Sequence, residues 1–285
     1  MGDATALLHW NGGPLAWTVV AWLGALWGSF ATVCVHRIPR QKSIVRPGSS
    51  CPHCQQPLRW YHNIPILSWL LLRGTSACCG KPIGLRYVAI ELSMVLLALV
   101  AYARFVYGQS EQTLQPLVMF VGVFFFSWTL LVLSWIDSAH FLLPNVMTIP
   151  GILVFFIVGQ LLPGVMWYDA LIGAAAGYGF VWMLATLYRL LTRREGIGYG
   201  DAKLLALIGA FLGWQALPTT LLFGSLLGTV AAIPLFWRAR RLNDGTTLAK
   251  QAIPFGPFLA IGSLLHLWLF YGKHPIDVLL RWLGL

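Results

Sequence analysis

Eight apolar runs constrain this chain more than any other feature, near residues 14–35, 87–107, 116–136, 145–163, 168–189, 201–216, 217–237 and 256–272. The hydrocarbon core of a bilayer is about 30 Å thick and holds no water to satisfy exposed backbone N–H and C=O groups. A helix of about 20 apolar residues meets both demands, since all its backbone bonds are made within the segment. Composition agrees, with 58% hydrophobic and 10% charged residues against about 45–50% and about 25% in soluble domains. Together with a mean hydropathy of +0.73, this predicts an all-α polytopic membrane protein with about eight transmembrane helices. Met1 to Pro14 lacks the basic leading region of a cleavable signal, so 1–35 reads as a retained first transmembrane helix. Segment 36–86 is the one long polar interruption and reads as a small loop domain, leaving 87–285 as the transmembrane core.

The charges lie between the apolar runs. Lys and Arg outnumber Asp and Glu 19 to 9, for a formal net charge of +10. A basic excess can signal nucleic acid, but this distribution is that of membrane topology, which makes the lipid bilayer the partner and excludes nucleic acid. Segment 36–86 carries eight basic residues and no acid. Given eight crossings, it shares a side with 137–144, 190–203 and 238–255. That side holds sixteen Lys and Arg, against Arg104, Lys273 and Arg281 on the other. The positive-inside rule then makes it cytoplasmic and puts both termini on the far side.

A carboxylate at membrane depth costs about 2.5–3.5 kcal/mol on insertion scales, so each one needs a reason. Of the nine acids, Asp3, Glu111, Asp169, Glu195, Asp244 and Asp277 fall in tails or loops, where solvation suffices. Glu91 lies just inside the second run, where an ion pair with nearby Arg86 would account for it. Asp137 ends the third run and Asp201 starts the sixth, in Gly198-Tyr-Gly200-Asp201-Ala-Lys203. Both therefore sit at the cytoplasmic membrane boundary. Two carboxylates at one depth can share a proton, one acting as base towards water and the other polarising a carbonyl. Gly198 and Gly200 would let an extended substrate strand approach Asp201, and Lys203 would project back to the headgroups. Alternatively, Asp201 simply caps its helix and Asp137 is solvated by headgroups. A transporter with the two acids as proton or cation sites is a further reading, though such carboxylates usually lie nearer mid-membrane.

At these residues the chain resembles the type IV prepilin peptidases, Gly-x-Gly-Asp intramembrane aspartic proteases that act as leader peptidase and N-methyltransferase. The resemblance is carried by Gly28-Ser-Phe30, His36-Arg37-Ile-Pro39, Cys51-Pro-His-Cys54, Trp60-Tyr-His-Asn63-Ile-Pro65, Leu72-Arg73-Gly74 and Arg86-Tyr87 with Glu91. It continues through Ile136-Asp137, Leu142-Leu-Pro144, Gly198-Tyr-Gly200-Asp201-Ala-Lys203-Leu and Pro254-Phe-Gly-Pro257. The resemblance implies Asp137 and Asp201 as the catalytic pair. It also implies prepilins or pseudopilins of type IV pilus and type II secretion systems as substrates, cut on the cytoplasmic side of the bacterial inner membrane. Methylation of the new N-terminus by S-adenosylmethionine would follow. Where relatives often carry a further carboxylate near the first aspartate, this chain has Ser138, Ala139 and Asn145. No Gly-rich fingerprint for the methyl donor is present, so its binding residues are unassigned, and a peptidase without the methylation step stays open.

Cys34 falls in the first run and reads as a packed side chain. Cys51, Cys54, Cys78 and Cys79 fall in the loop domain, where a reducing cytoplasm disfavours disulfides. Two Cys-x-x-Cys pairs at this separation read as tetrahedral zinc. The second pair is irregular, for resembling proteins would have cysteines at 76 and 79 and this chain has Ser76-Ala-Cys78-Cys79. Cys78, His53 or His62 would supply the fourth ligand; a metal-free remnant and a redox pair are the alternatives. A metal would be structural, because a loop of this size has little core of its own. The apolar stretch Ile64 to Leu72 is too short to span and should lie along the membrane surface.

Overall fold

The computed structural model describes residues 13–108, 114–193, 198–241 and 254–271. Among these the chain is helical: α1 (Pro14–Arg37), α2 (Leu67–Leu71), α3 (Arg86–Phe105), α4 (Gln115–His140), α5 (Asn145–Gly159), α6 (Trp167–Thr192), α7 (Tyr199–Leu212), α8 (Ala216–Arg241) and α9 (Gly256–Phe270). Extended pairing is confined to two isolated bridges, Ser50 with Pro57 and Thr75 with Pro82.

Each apolar run forms one helix, but the helices are not equal. Five of them, α1, α3, α4, α6 and α8, are long and apolar enough to cross a membrane, which makes this a multi-pass membrane protein. The runs at 145–163, 201–216 and 256–272 became α5, α7 and α9, of 15, 14 and 15 residues. At about 1.5 Å per residue these reach roughly 22 Å, short of the hydrocarbon thickness. Apolarity outran the helix in α5, whose run continues through Leu161 and Leu162 in a turn that follows Gly159. Part of the charge count behind the expected orientation, Arg194, Lys250, Lys273 and Arg281, lies outside the described residues, as do Asp3, Glu111, Glu195, Asp244 and Asp277.

Two compact units divide the chain, Met1–Val132 and Leu133–Leu285, with α4 contributing to both. In the first unit α1 packs on α3 through small residues. A Cβ at Gly24 would come 2.8 Å from the Val95 Cα, and one at Gly28 would come 2.8 Å from the Glu91 Cα. Such close backbone approach is how membrane helices gain dispersion contacts when lipid offers no hydrophobic drive. Trp128 stacks on Phe30 and donates its ring N–H to the Trp27 carbonyl at 2.9 Å.

In the second unit α7 is the central element. Every residue from Leu204 to Leu212 is buried, consistent with a helix that is apolar all round. Gly173 of α6 and Gly209 of α7 meet backbone to backbone, and Gly262 of α9 lies against the Thr220 carbonyl of α8. Asp169, expected to be merely solvated, is instead buried at the start of α6. It accepts the Trp214 ring N–H at 2.9 Å and the Gln215 amide at 3.2 Å, and its backbone carbonyl takes the Trp214 N–H. Those bonds tie α6 to the turn between α7 and α8.

Candidate functional site

Asp137 stands in the last turn of α4 with only 6% of its surface exposed. Burying a charge-bearing group without a partner is costly. Its Oδ2 accepts the backbone N–H of Gly256 at 3.0 Å, one of the free donors at the start of α9. A Cβ on residue 256 would lie 2.7 Å from that oxygen, so only glycine admits the carboxylate here. Gly256 is the member of this site that residue-by-residue reading missed. The signal was the glycine followed by Pro257, a helix-start pattern that gives no hint of a partner 119 residues earlier.

Asp201 lies in the first turn of α7, within electrostatic reach of Asp137. The two acids are therefore brought together within the second unit. The glycines before Asp201 differ in their surroundings. A Cβ at Gly200 would sit 3.1 Å from the Leu143 Cβ, so any larger residue here would push Leu143 aside by a few tenths of an ångström. At Gly198 the backbone is ordinary and the space is open, the Asp201 Oδ2 being 3.8 Å from a notional Cβ. Lys203 is bonded within the protein: its ammonium donates to the Asn145 Oδ1 at 2.5 Å, joining α7 to the start of α5.

The cysteines form a second cluster, in the first unit. Sγ atoms of Cys51, Cys54, Cys78 and Cys79 all lie within 4.8 Å of one another. A tetrahedral thiolate site with metal–sulfur bonds of about 2.3 Å needs sulfurs about 3.8 Å apart. Cys51 and Cys79 meet this at 3.8 Å, and Cys54 and Cys78, at 3.0 Å, need only spread slightly for the set to hold a metal ion. His53, an alternative fourth ligand, turns its Nε2 to the Pro82 carbonyl at 3.1 Å. Burial pushes the Cys51 thiol up, but hydrogen bonds from the Cys54 backbone, the Ser76 hydroxyl, the His53 backbone and Cys78 bring it down to about 5. Cys54, bonded first of all to Cys78, is pushed up to about 12.

The irregular spacing has a structural explanation. The cysteines stand on two hairpins with one bonding scheme, the second shifted by 25 residues (51 to 76, 58 to 83). Cys51 N–H to the Gln56 carbonyl corresponds to Ser76 N–H to the Lys81 carbonyl, and Leu58 to Ser49 corresponds to Ile83 to Gly74. Both turns carry a left-handed residue, Gln55 at φ 57° and Gly80 at φ 66°. Ser76 therefore occupies the counterpart of Cys51, while Cys78 corresponds to His53. The Ser76 hydroxyl lies 3.1 Å from both the Cys51 and the Cys78 sulfur, so Cys78 supplies from the turn the thiol that position 76 lacks.

Glu91 does not pair as expected. Among the described residues it forms no ion pair; its Oε2 accepts the Ile66 N–H at 2.7 Å.

Residues 22–105 match the family described as the bacterial peptidase A24 N-terminal domain, and residues 124–233 match the type IV leader peptidase family. Relatives named prepilin leader peptidase/N-methyltransferase are similar along nearly the whole chain. The protein of Pseudomonas putida is 38% identical, covering 88% of this chain and 90% of its own length. That of Pseudomonas aeruginosa is 36% identical, with 90% and 91% covered, and that of Aeromonas hydrophila is 39% identical, with 85% and 87% covered. No solved structure matches the chain.

Proposed function

This chain belongs to the type IV leader peptidase family, and from that premise we propose that it cleaves the basic leader from type IV prepilins or pseudopilins and then N-methylates the new N-terminus. Cleavage takes place at the cytoplasmic face of the bacterial inner membrane, a side supported by the basic residues of 36–86. Asp137 and Asp201 form the acid–base pair. Asp137 already acts as an acceptor towards the Gly256 N–H, which suits it to take a proton from water as that water adds to the scissile carbonyl. Asp201 carries the proton the two share and gives it to the carbonyl oxygen. When the C–N bond breaks, the proton on Asp137 passes to the leaving amine while a hydroxyl of the tetrahedral intermediate returns its proton to Asp201, leaving the new carboxyl group and the starting shared proton. The open space at Gly198 supports a substrate strand beside Asp201, and the Lys203–Asn145 bond holds Leu142–Asn145 against Gly200.

The observation that carries this reading is a buried Asp137 at the end of α4 and Asp201 in the first turn of α7, two acids at helix ends within one unit. Zinc is the ion we assign to Cys51, Cys54, Cys78 and Cys79, because an all-thiolate tetrahedral set suits it. When bound it supplies folding energy, not chemistry. S-adenosylmethionine is the methyl donor. The test is to incubate the purified chain in detergent with a prepilin and labelled S-adenosylmethionine. The expected result is a shortened, labelled pilin and about one zinc per chain; an intact prepilin overturns the reading.

A further inference from the structure

The first unit encloses a cavity of about 570 Å³ walled by α1, α3 and the polar segment between them, a size that suits a small-molecule ligand. Among its lining residues Glu91 is the one carboxylate, whereas Arg37, Lys42 and Arg46 are cationic. Arg37 is committed to the wall, donating to the carbonyls of Ser43 and Gly48. Glu91 is buried at the membrane-embedded part of α3, and its setting is built with care. The N–H it accepts belongs to Ile66, at φ 61° and ψ −52°, with the Leu67 N–H reaching back to the Pro65 carbonyl at 2.6 Å. That is a γ-turn of the rare positive-φ hand, strained above all for a β-branched residue. Strain of this kind persists where the surroundings impose it, and it collects at ligand sites. A lone buried carboxylate in a basic cavity asks for a ligand that is cationic at one point and anionic at another.

We propose that this cavity holds the methyl donor of the N-methylation, with Glu91 facing the sulfonium and taking the proton that the attacking amine must shed. The proposal rests on the methyltransferase reading above. The basic groups at Lys42 and Arg46 suit the donor's carboxylate. In the transfer, the ammonium of the cleaved pilin gives a proton to the Glu91 carboxylate. The amine lone pair then forms the N–C bond as the S–C bond breaks, and that bond's electron pair stays on sulfur as a neutral thioether. Glu91 returns its proton to water.

Two measurements on the full chain in detergent test this. First, the wild-type protein is photolabelled with radioactive S-adenosylmethionine and digested. Label on peptides within 29–91 is expected; label confined to other peptides overturns the site, whatever any variant does. Second, donor binding is compared with that of S-adenosylhomocysteine, which lacks the sulfonium charge. Glu91→Gln should weaken donor binding at least about tenfold while hardly changing the thioether's, since only the charged ligand loses a partner. Retained prepilin cleavage by the same preparation shows that the variant is folded. Equal donor binding by Glu91→Gln and wild type overturns the proposal. If the wild type neither binds the donor nor methylates a cleaved pilin, the methyltransferase reading itself fails. If it methylates but labels elsewhere, only this site falls.

Discussion

Around Asp201 the chain is filled: all of α7 from Leu204 to Leu212 is buried, and glycines seat it against its neighbours. In segment 38–85 of the other unit, the buried residues are Cys51, Pro65, Gly74 and Ser76 alone, while Trp60 and Leu71 are 80% and 82% exposed. One region is held in shape by packing. The other has almost nothing to pack and is organised by hydrogen-bonded turns around four sulfurs. The difference teaches that the two activities should fail in different ways. Cleavage should depend on individual carboxylates in a preformed frame, and methylation on whether a loosely packed segment keeps its clip.

The largest effect should come from Asp201→Asn or Asp137→Asn, each lowering prepilin cleavage by about 10³-fold or more. Methylation of a synthetic, already shortened pilin peptide should persist, as followed by transfer of labelled methyl. Next in size is metal removal. Cys51→Ser and Cys79→Ser should each lose most of the bound metal by elemental analysis, lower Tm and expose 38–85 to proteolysis. Methylation should fall more than cleavage, and the reverse order would break the comparison. A smaller effect should follow from the duplicated hairpin. Cys78→Ser should weaken metal binding, and adding Ser76→Cys should restore it, because position 76 already faces Cys51. Failure of that rescue would mean the two hairpins are alike only in backbone. The smallest effect is expected of Lys203→Ala. Losing one exposed hydrogen bond to Asn145 costs about 0.5–1.5 kcal/mol, so Tm and the pH optimum of cleavage should move slightly, and Asn145→Ala should reproduce the change.

Much of this was legible from residues. Apolar runs located eight of the nine described helices, since lipid leaves a helix few alternatives, and the Cys-x-x-Cys and Gly-x-Gly-Asp patterns are local. What was not legible was non-local or set by packing. Run length overstated α5, α7 and α9 because apolar residues continue into the turns that end them. Asp169 reads as a loop acid, and only the return of Trp214 and Gln215 explains its burial. Gly256 reads as a helix start, yet it is the donor to Asp137. The 25-residue repeat was written in Pro57 and Pro82 with Cys54 and Cys79, but Ser76 hides it by replacing the cysteine that would mark it.

The central claim is that Asp137 and Asp201 act as one unit. Its most direct test is cleavage of a prepilin by purified, folded wild type, Asp137→Asn, Asp201→Asn and the double variant, with product quantified by mass spectrometry. The account predicts that each single variant loses nearly all activity and that the double loses no more. Substantial cleavage by either folded single variant, or losses that multiply in the double, would contradict it.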